Sequence, residues 1–239
     1  HPAVAIDLPG HGHSDGPDPM VTAIEGYSRD VATVIRVLAP QARVLVGMSA
    51  GGLTAIALTA LAPELVGRLM LVDVLPEPDP AAARAILDFL DGPETFDSFE
   101  EILQRTVRYN PGRSVSSLRR GILHNALELP DGIWQWRHRR HRRALRPPDP
   151  DEAAQLAAAL WADLRAITVP VRLVRGLAEG SVVTDGHVAT LREVLPSADV
   201  VGVPGAGHSV QGDQPVRLAE LVEQFARGDA VLTRKGGQT

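Results

Sequence analysis

The chain has no cysteine, which excludes disulfide staples, thiolate metal sites and a cysteine nucleophile but leaves the cellular compartment open. Aromatic residues are scarce, at 4%. No apolar run approaches the roughly 20 residues of a membrane span. His1 does not open a signal peptide, so cytoplasm is the default location. A net charge of -5 argues against nucleic acid or an anionic membrane as a bulk partner. Internal repeats are absent as well, so repeat architectures drop out.

What remains is enough for a substantial core: 239 residues, 44% of them hydrophobic, need no staple. The first third alternates between strand and helix patterns. Strands are expected at Val4 to Leu8, Arg43 to Val46 and Leu69 to Val72, and helices at Tyr27 to Leu38 and Leu53 to Leu61, with Pro40 and Pro63 punctuating the helix ends. After Asp73 the pattern changes. Pro76, Pro78 and Pro80 open a region running to about Thr168, helical in periodicity, rich in arginine and without strand patterns. Alternation then resumes with a strand at Val171 to Val174, a helix from Asp185 to Leu195, a strand at Val200 and a helix from Pro215 to Phe225. Such alternation implies a parallel sheet with helices on both faces.

The segment Leu45-Val46-Gly47-Met48-Ser49-Ala50-Gly51-Gly52 sets a serine in a G-x-S-x-G turn between an apolar strand and an Ala/Leu-rich helix. Small residues at Gly47, Gly51 and Gly52 allow backbone to approach backbone in so tight a reversal. Ser49 then stands exposed at the carboxyl end of the sheet, and the amide of Ala50 aims at a developing oxyanion. Far downstream, Gly205-Ala206-Gly207-His208-Ser209 follows the strand at Val200 as a Gly-rich loop. A histidine there reaches across the top of a parallel sheet, as a general base for serine must. The order serine, acid, histidine is that of a known triad type.

Together with the opening Asp7-Leu8-Pro9-Gly10-His11-Gly12-His13-Ser14, these motifs make the chain resemble the α/β-hydrolase superfamily over nearly its whole length. The resemblance implies a mostly parallel sheet flanked by helices. Residues 1–75 and 169–228 would form the core, 76–168 a helical lid and 229–239 a flexible tail. It also implies further strands before the D-x-P-G-H-G turn and an H-G loop giving a second oxyanion amide. A chain starting at Val4 to Leu8 is therefore expected to be an amino-terminally incomplete hydrolase, with that strand lacking its neighbour and with little stability or activity of its own.

The triad acid has two candidates. Family members often place it as G-x-x-D after the strand that here ends in Gly176, and Gly176-Leu177-Ala178-Glu179 puts a glutamate at that spacing. Asp73 ends the preceding strand, where some members keep their acid. Either carboxylate can orient the imidazole, and the spacing favours Glu179 narrowly. Asp185 reads as a helix cap.

Other residues are weighed against plain structural roles. Asp7, His11 and His13 form a sound turn, and a metal there would need ligands that the sequence does not show at suitable spacing. Met48 flanks the serine as a substrate-contact candidate. Trp134 and Trp136, with Leu127, are candidates for an apolar inner face of the lid, against the usual role of filling a core. The run Arg137-His138-Arg139-Arg140-His141-Arg142-Arg143 is the one strongly basic stretch. A nucleic-acid site would want more aromatic residues beside it, so a solvated lid face balanced by Asp149, Asp151 and Glu152 is preferred, with a pocket for an acidic substrate as the alternative.

The expected activity is that of a serine hydrolase needing no cofactor or metal, acting on a small-molecule carboxylic ester through an acyl-enzyme. Carbon-carbon bond hydrolysis and acyl transfer fit the same scaffold, since fold does not choose among these. A non-catalytic binding relative is the remaining alternative. Oligomeric state is not written in the sequence.

Overall fold

Apolar strands that cannot be wetted on either face must be covered on both, and this requirement organises the chain. A computed structural model describes residues 2–16, 23–137 and 149–228. In chain order the elements are α1 (Ala23–Leu38), β1 (Leu45–Met48), α2 (Ala50–Leu61), β2 (Leu69–Val72), α3 (Pro80–Leu90), β3 (Thr95–Phe96), α4 (Phe99–Tyr109), α5 (Val115–Asn125), β4 (Ala126–Glu128), β5 (Trp134–Trp136), α6 (Pro150–Ala166), β6 (Val171–Gly176), α7 (Asp185–Val194), β7 (Asp199–Val203), α8 (Val210–Asp213) and α9 (Pro215–Arg227).

The main sheet has the order β1-β2-β6-β7, with every pairing parallel. Side chains alternate between its two faces. Leu69, Leu71, Val171 and Leu173 enter one cluster with Ile56 and Leu58 of α2, Leu160 and Leu164 of α6 and Leu191 of α7. Met70, Val72, Val174, Val201 and Val203 enter the other, closed by Leu221 and Phe225 of α9. The continuous apolar run Leu69-Met70-Leu71-Val72 is thus buried along its whole length, as a central parallel strand should be. Arg172 is the exception on the second face. Its buried guanidinium bonds Asp199 at 2.7 Å and the Leu221 carbonyl at 3.2 Å, and lies 4.6 Å from the centre of the Phe225 ring.

α2 is apolar almost all round because it is sandwiched between α1, α6 and the sheet. Its buried Thr54 and Thr59 hydroxyls donate back to the carbonyls of Ala50 and Ala55, at 2.8 and 2.6 Å, so neither is left without a partner. α6 falls inside the stretch read as lid, yet it buries Leu160 and Leu164 against the sheet core.

Three expectations need correction. Residues 2–8 form no strand, and Val4 and Ile6 are exposed. Among the described residues no neighbouring strand offers them a ladder, and β1 is hydrogen-bonded only to β2. The cap region is not purely helical either. It contains a small antiparallel sheet, β3-β5-β4, over a separate cluster of Phe96, Ile102, Leu103, Leu118 and Ile122. The signal is Asp131-Gly132, with Gly132 at φ 85°, where a hairpin closes from Leu129 N–H to the Ile133 carbonyl at 2.8 Å. Finally, the cap of α7 is Thr184 rather than Asp185. Thr184 and His187 form a reciprocal capping box, while Asp185 pairs with Arg175 at 2.6 Å.

Candidate active site

Parallel pairing brings the chemistry to one end of the sheet. Met48 lies opposite Val72 in the β1–β2 register, so the next residue of each strand, Ser49 and Asp73, emerges at the same carboxyl edge. These two are the non-glycine residues with positive φ among those described, at 52° and 47°. Such backbone costs of order 1–3 kcal/mol per residue and persists only where the surroundings over-determine it.

At Ser49 the over-determination is steric. A Cβ at Gly47 would sit 2.5 Å from the Gly51 carbonyl and 2.6 Å from the Gly52 Cα, and a Cβ at Gly52 would run into Val74. Gly51 differs from the sequence reading: a Cβ there meets nothing within 4 Å, so Gly47 and Gly52 carry the close approach. Gly52 and Leu53 donate to the Ser49 carbonyl at 2.8 and 3.1 Å, starting α2. The Ala50 N–H is left in the first helical turn, where no intrahelical acceptor reaches it. Ser49 Oγ has no hydrogen-bond partner among the described residues, to His208 or to any other group.

At Asp73 the over-determination is electrostatic. Its wholly buried carboxylate accepts from Gly176 N at 2.9 Å, Ser181 Oγ at 2.6 Å, Val182 N at 3.0 Å and His208 Nδ1 at 3.0 Å. With Nδ1 committed as donor to a carboxylate, Nε2 of His208 is left as the basic nitrogen. The histidine loop is held just as closely. Ala178 N donates to the Ala206 carbonyl at 2.9 Å, and a side chain at Gly176 would collide with the Ala206 and Gly207 carbonyls.

Glu179 is not the carboxylate at the imidazole. It is exposed in the turn after β6, and its backbone carbonyl, not its side chain, packs on Gly207. The reason lies in the loop itself: its amides at Gly176 and Val182 both point at Asp73, so the loop wraps around that carboxylate and turns Glu179 outward. One signal in the sequence pointed to this outcome. An aspartate inside Leu71-Val72-Asp73-Val74-Leu75, five residues that are all buried, must have partners or the fold would not tolerate it.

The Trp134 and Trp136 rings fill the cap. Trp134 stands edge-on to Phe99 at 5.0 Å, and Trp136 to Phe96 and Phe89 at 6.0 and 6.2 Å. Met48 is at the site, its Sδ taking the Gln211 Nε2 at 3.7 Å from the segment after His208. The opening turn is structural: Asp7 accepts from His13 N at 3.0 Å, and its carbonyl accepts from Ser14 Oγ at 2.7 Å. His11 stands edge-on to Tyr27, whose hydroxyl burial pushes above the usual phenol range and so keeps protonated. Of the basic stretch, Arg137 meets His13 Nε2 at 3.3 Å, while residues 138–143, like the expected tail at 229–239, lie outside the described residues. Among the described residues no three or more histidine, aspartate or glutamate side chains gather as a metal site, and no helix is long and apolar enough to cross a membrane.

A strained serine turn and a buried acid–histidine pair on one edge of a parallel sheet define a class, and comparison with known proteins agrees. The model of the alpha/beta hydrolase family matches residues 1–221, and the chain belongs to that family. It is 42% identical over 228 residues to Esterase Rv0045c of Mycobacterium tuberculosis, covering 92% of this chain and 73% of that protein. A solved structure of that esterase superposes with a TM-score of 0.76 over 92% of this chain and 75% of the other, at 40% identity. The structure of an E-2-(acetamidomethylene)succinate hydrolase superposes with a TM-score of 0.78 over 92% and 80%, at 25% identity. The 2-(acetamidomethylene)succinate hydrolase of Mesorhizobium japonicum is 28% identical over 228 residues, or 93% of this chain and 77% of that one.

Proposed function

We propose that the protein is a serine hydrolase that cleaves carboxylic esters of small or medium acyl groups through an acyl-enzyme. The observation that carries this reading is the 3.0 Å bond from His208 Nδ1 to a buried Asp73 one strand away from the strained Ser49 elbow. Ser49 Oγ attacks the acyl carbonyl as His208 Nε2 takes its proton. The tetrahedral oxyanion is received by the Ala50 amide, and the imidazolium is stabilised by Asp73. His208 then protonates the departing alkoxide. In the second half it activates water to release the acid. Met48, next to Ser49, is the candidate for contact with the substrate. Trp134 and Trp136 are assigned to cap packing, since their ring partners are cap aromatics.

Water rather than another acyl acceptor is favoured because two relatives matched over more than nine-tenths of this chain carry the names esterase and hydrolase. A purely binding role gives no reason for the buried Asp73 carboxylate to orient the His208 imidazole. Treatment with a fluorophosphonate followed by peptide mass analysis tests the proposal, alongside turnover of short-chain p-nitrophenyl esters. The expected result is a single adduct on Ser49, absent in Ser49→Ala, with turnover abolished in step. Labelling elsewhere, or ester turnover that survives Ser49→Ala, would overturn it.

A further inference from the structure

Asp213 ends the single helical turn that follows His208, and its side chain folds back on the histidine loop. Oδ2 accepts from Gly207 N, the amide immediately before His208, at 3.0 Å. The turn is closed behind it by Gly212 and Asp213 amides donating to the Ser209 carbonyl at 2.8 and 2.9 Å. Residues 207–213 thus form a ring whose closing contact is one carboxylate oxygen.

The other oxygen faces the cap. Arg113 Nε lies 3.4 Å from Asp213 Oδ1, with side chains only 22% and 15% exposed. Arg113 occupies the turn between α4 and α5, where its own N–H donates to the Asn110 carbonyl at 3.1 Å and its guanidinium reaches Ser117 Oγ at 3.4 Å. The guanidinium packs against Gly212, where a Cβ would stand 2.5 Å from Cζ. A partly enclosed pair of this kind is less screened than a surface bridge, and it spans two bodies with separate hydrophobic clusters.

We infer that Arg113 and Asp213 are positioning residues through which the cap sets the His208 loop, so that the imidazole is held for proton transfer only while the cap is seated. The inference rests on the serine-hydrolase reading above. Without Arg113 the Asp213 carboxylate is drawn toward water and its hold on Gly207 loosens, which displaces His208 without touching the substrate. Displacements of about 1 Å at a catalytic group cost up to roughly 10²-fold in rate.

The test compares Arg113→Ala, Arg113→Lys, Gly212→Ala, Asp213→Ala and the Arg113→Ala/Asp213→Ala pair in the full chain, using p-nitrophenyl butyrate and concentrations set by fluorophosphonate titration. Arg113→Ala should lower kcat about 10-fold with KM within about twofold, and Gly212→Ala should do the same by pushing the guanidinium aside. Arg113→Lys should recover most of the loss by restoring the charge. Asp213→Ala should lose about 10²-fold and the double variant no more, because the pair acts as one device. A purely structural pair would lower the melting temperature and leave kcat per titrated site unchanged. That result, losses confined to KM, or losses that multiply in the double variant would overturn the inference while leaving the Ser49 chemistry standing. Failure of the parent protein to label at Ser49 would overturn both.

Discussion

The two halves of the site are built to opposite designs. Asp73 is wholly buried on a strand flanked on both sides, its carboxylate saturated by backbone and side-chain donors, and His208 is tied to it before any substrate arrives. Ser49 follows β1, which pairs with β2 among the described residues, and its hydroxyl has no partner among them. Both residues carry strained backbone, but the strain is held by charge in one case and by the bare backbone of two glycines in the other. The imidazole of His208 is oriented in advance, at the expense of burying a carboxylate. Ser49 keeps its freedom, as a proposed nucleophile whose reaction partner is the substrate would.

Removing either end of the proposed proton path should have the largest effect. Ser49→Ala and His208→Ala should each lower kcat by about 10⁶, and the double variant should be no worse, since residues acting as a unit do not contribute additively. Steady-state turnover after active-site titration measures this, and multiplicative losses would mean that the halves work separately.

The steric half can be broken without touching a reactive atom. Gly52→Ala drives a methyl into Val74 and should cost about 1–3 kcal/mol of stability, read as a lower melting temperature. Gly51→Ala, with open space around it and a helical backbone, should be neutral or stabilising by up to about 1 kcal/mol. Equal effects at the two positions would show that the elbow is not held by that contact.

The electrostatic half should respond more gently to loss of one donor. Ser181→Ala removes the 2.6 Å bond to Asp73 Oδ1 while the two amides and the imidazole remain. Turnover should fall by about 10-fold, equivalent to about 1.4 kcal/mol, with KM unchanged. A loss confined to KM would place Ser181 in substrate binding instead.

Much of this is legible in the sequence alone. The run Leu69 to Val72 is a strand with the bounds its apolar pattern indicates, and the Gly-x-Ser-x-Gly and Gly-Ala-Gly-His signatures stand at the carboxyl edge as their glycines require. These features are local: a few adjacent residues dictate the backbone. What was not legible depends on pairing between distant segments. Glu179 matched a spacing, but which carboxylate meets His208 is decided by where the amides of Gly176 and Val182 point. The cap strand at Trp134 is only three residues long, too short for a periodicity to show, and takes its conformation from partners at Ala126 and Thr95. Val4 to Leu8 has strand composition, yet among the described residues no strand pairs with it, and composition alone does not make a strand.

The assignment of the acid is the claim on which the rest hangs, and turnover of Asp73→Asn beside Glu179→Gln tests it most directly. An amide at position 73 would hold the imidazole in the wrong tautomer, so kcat should fall on the order of 10⁴ with little change in ester binding. Glu179→Gln should stay within about twofold of the parent, as exposed positions away from the machinery do. A loss of that size in Glu179→Gln, with Asp73→Asn nearly active, would contradict the account.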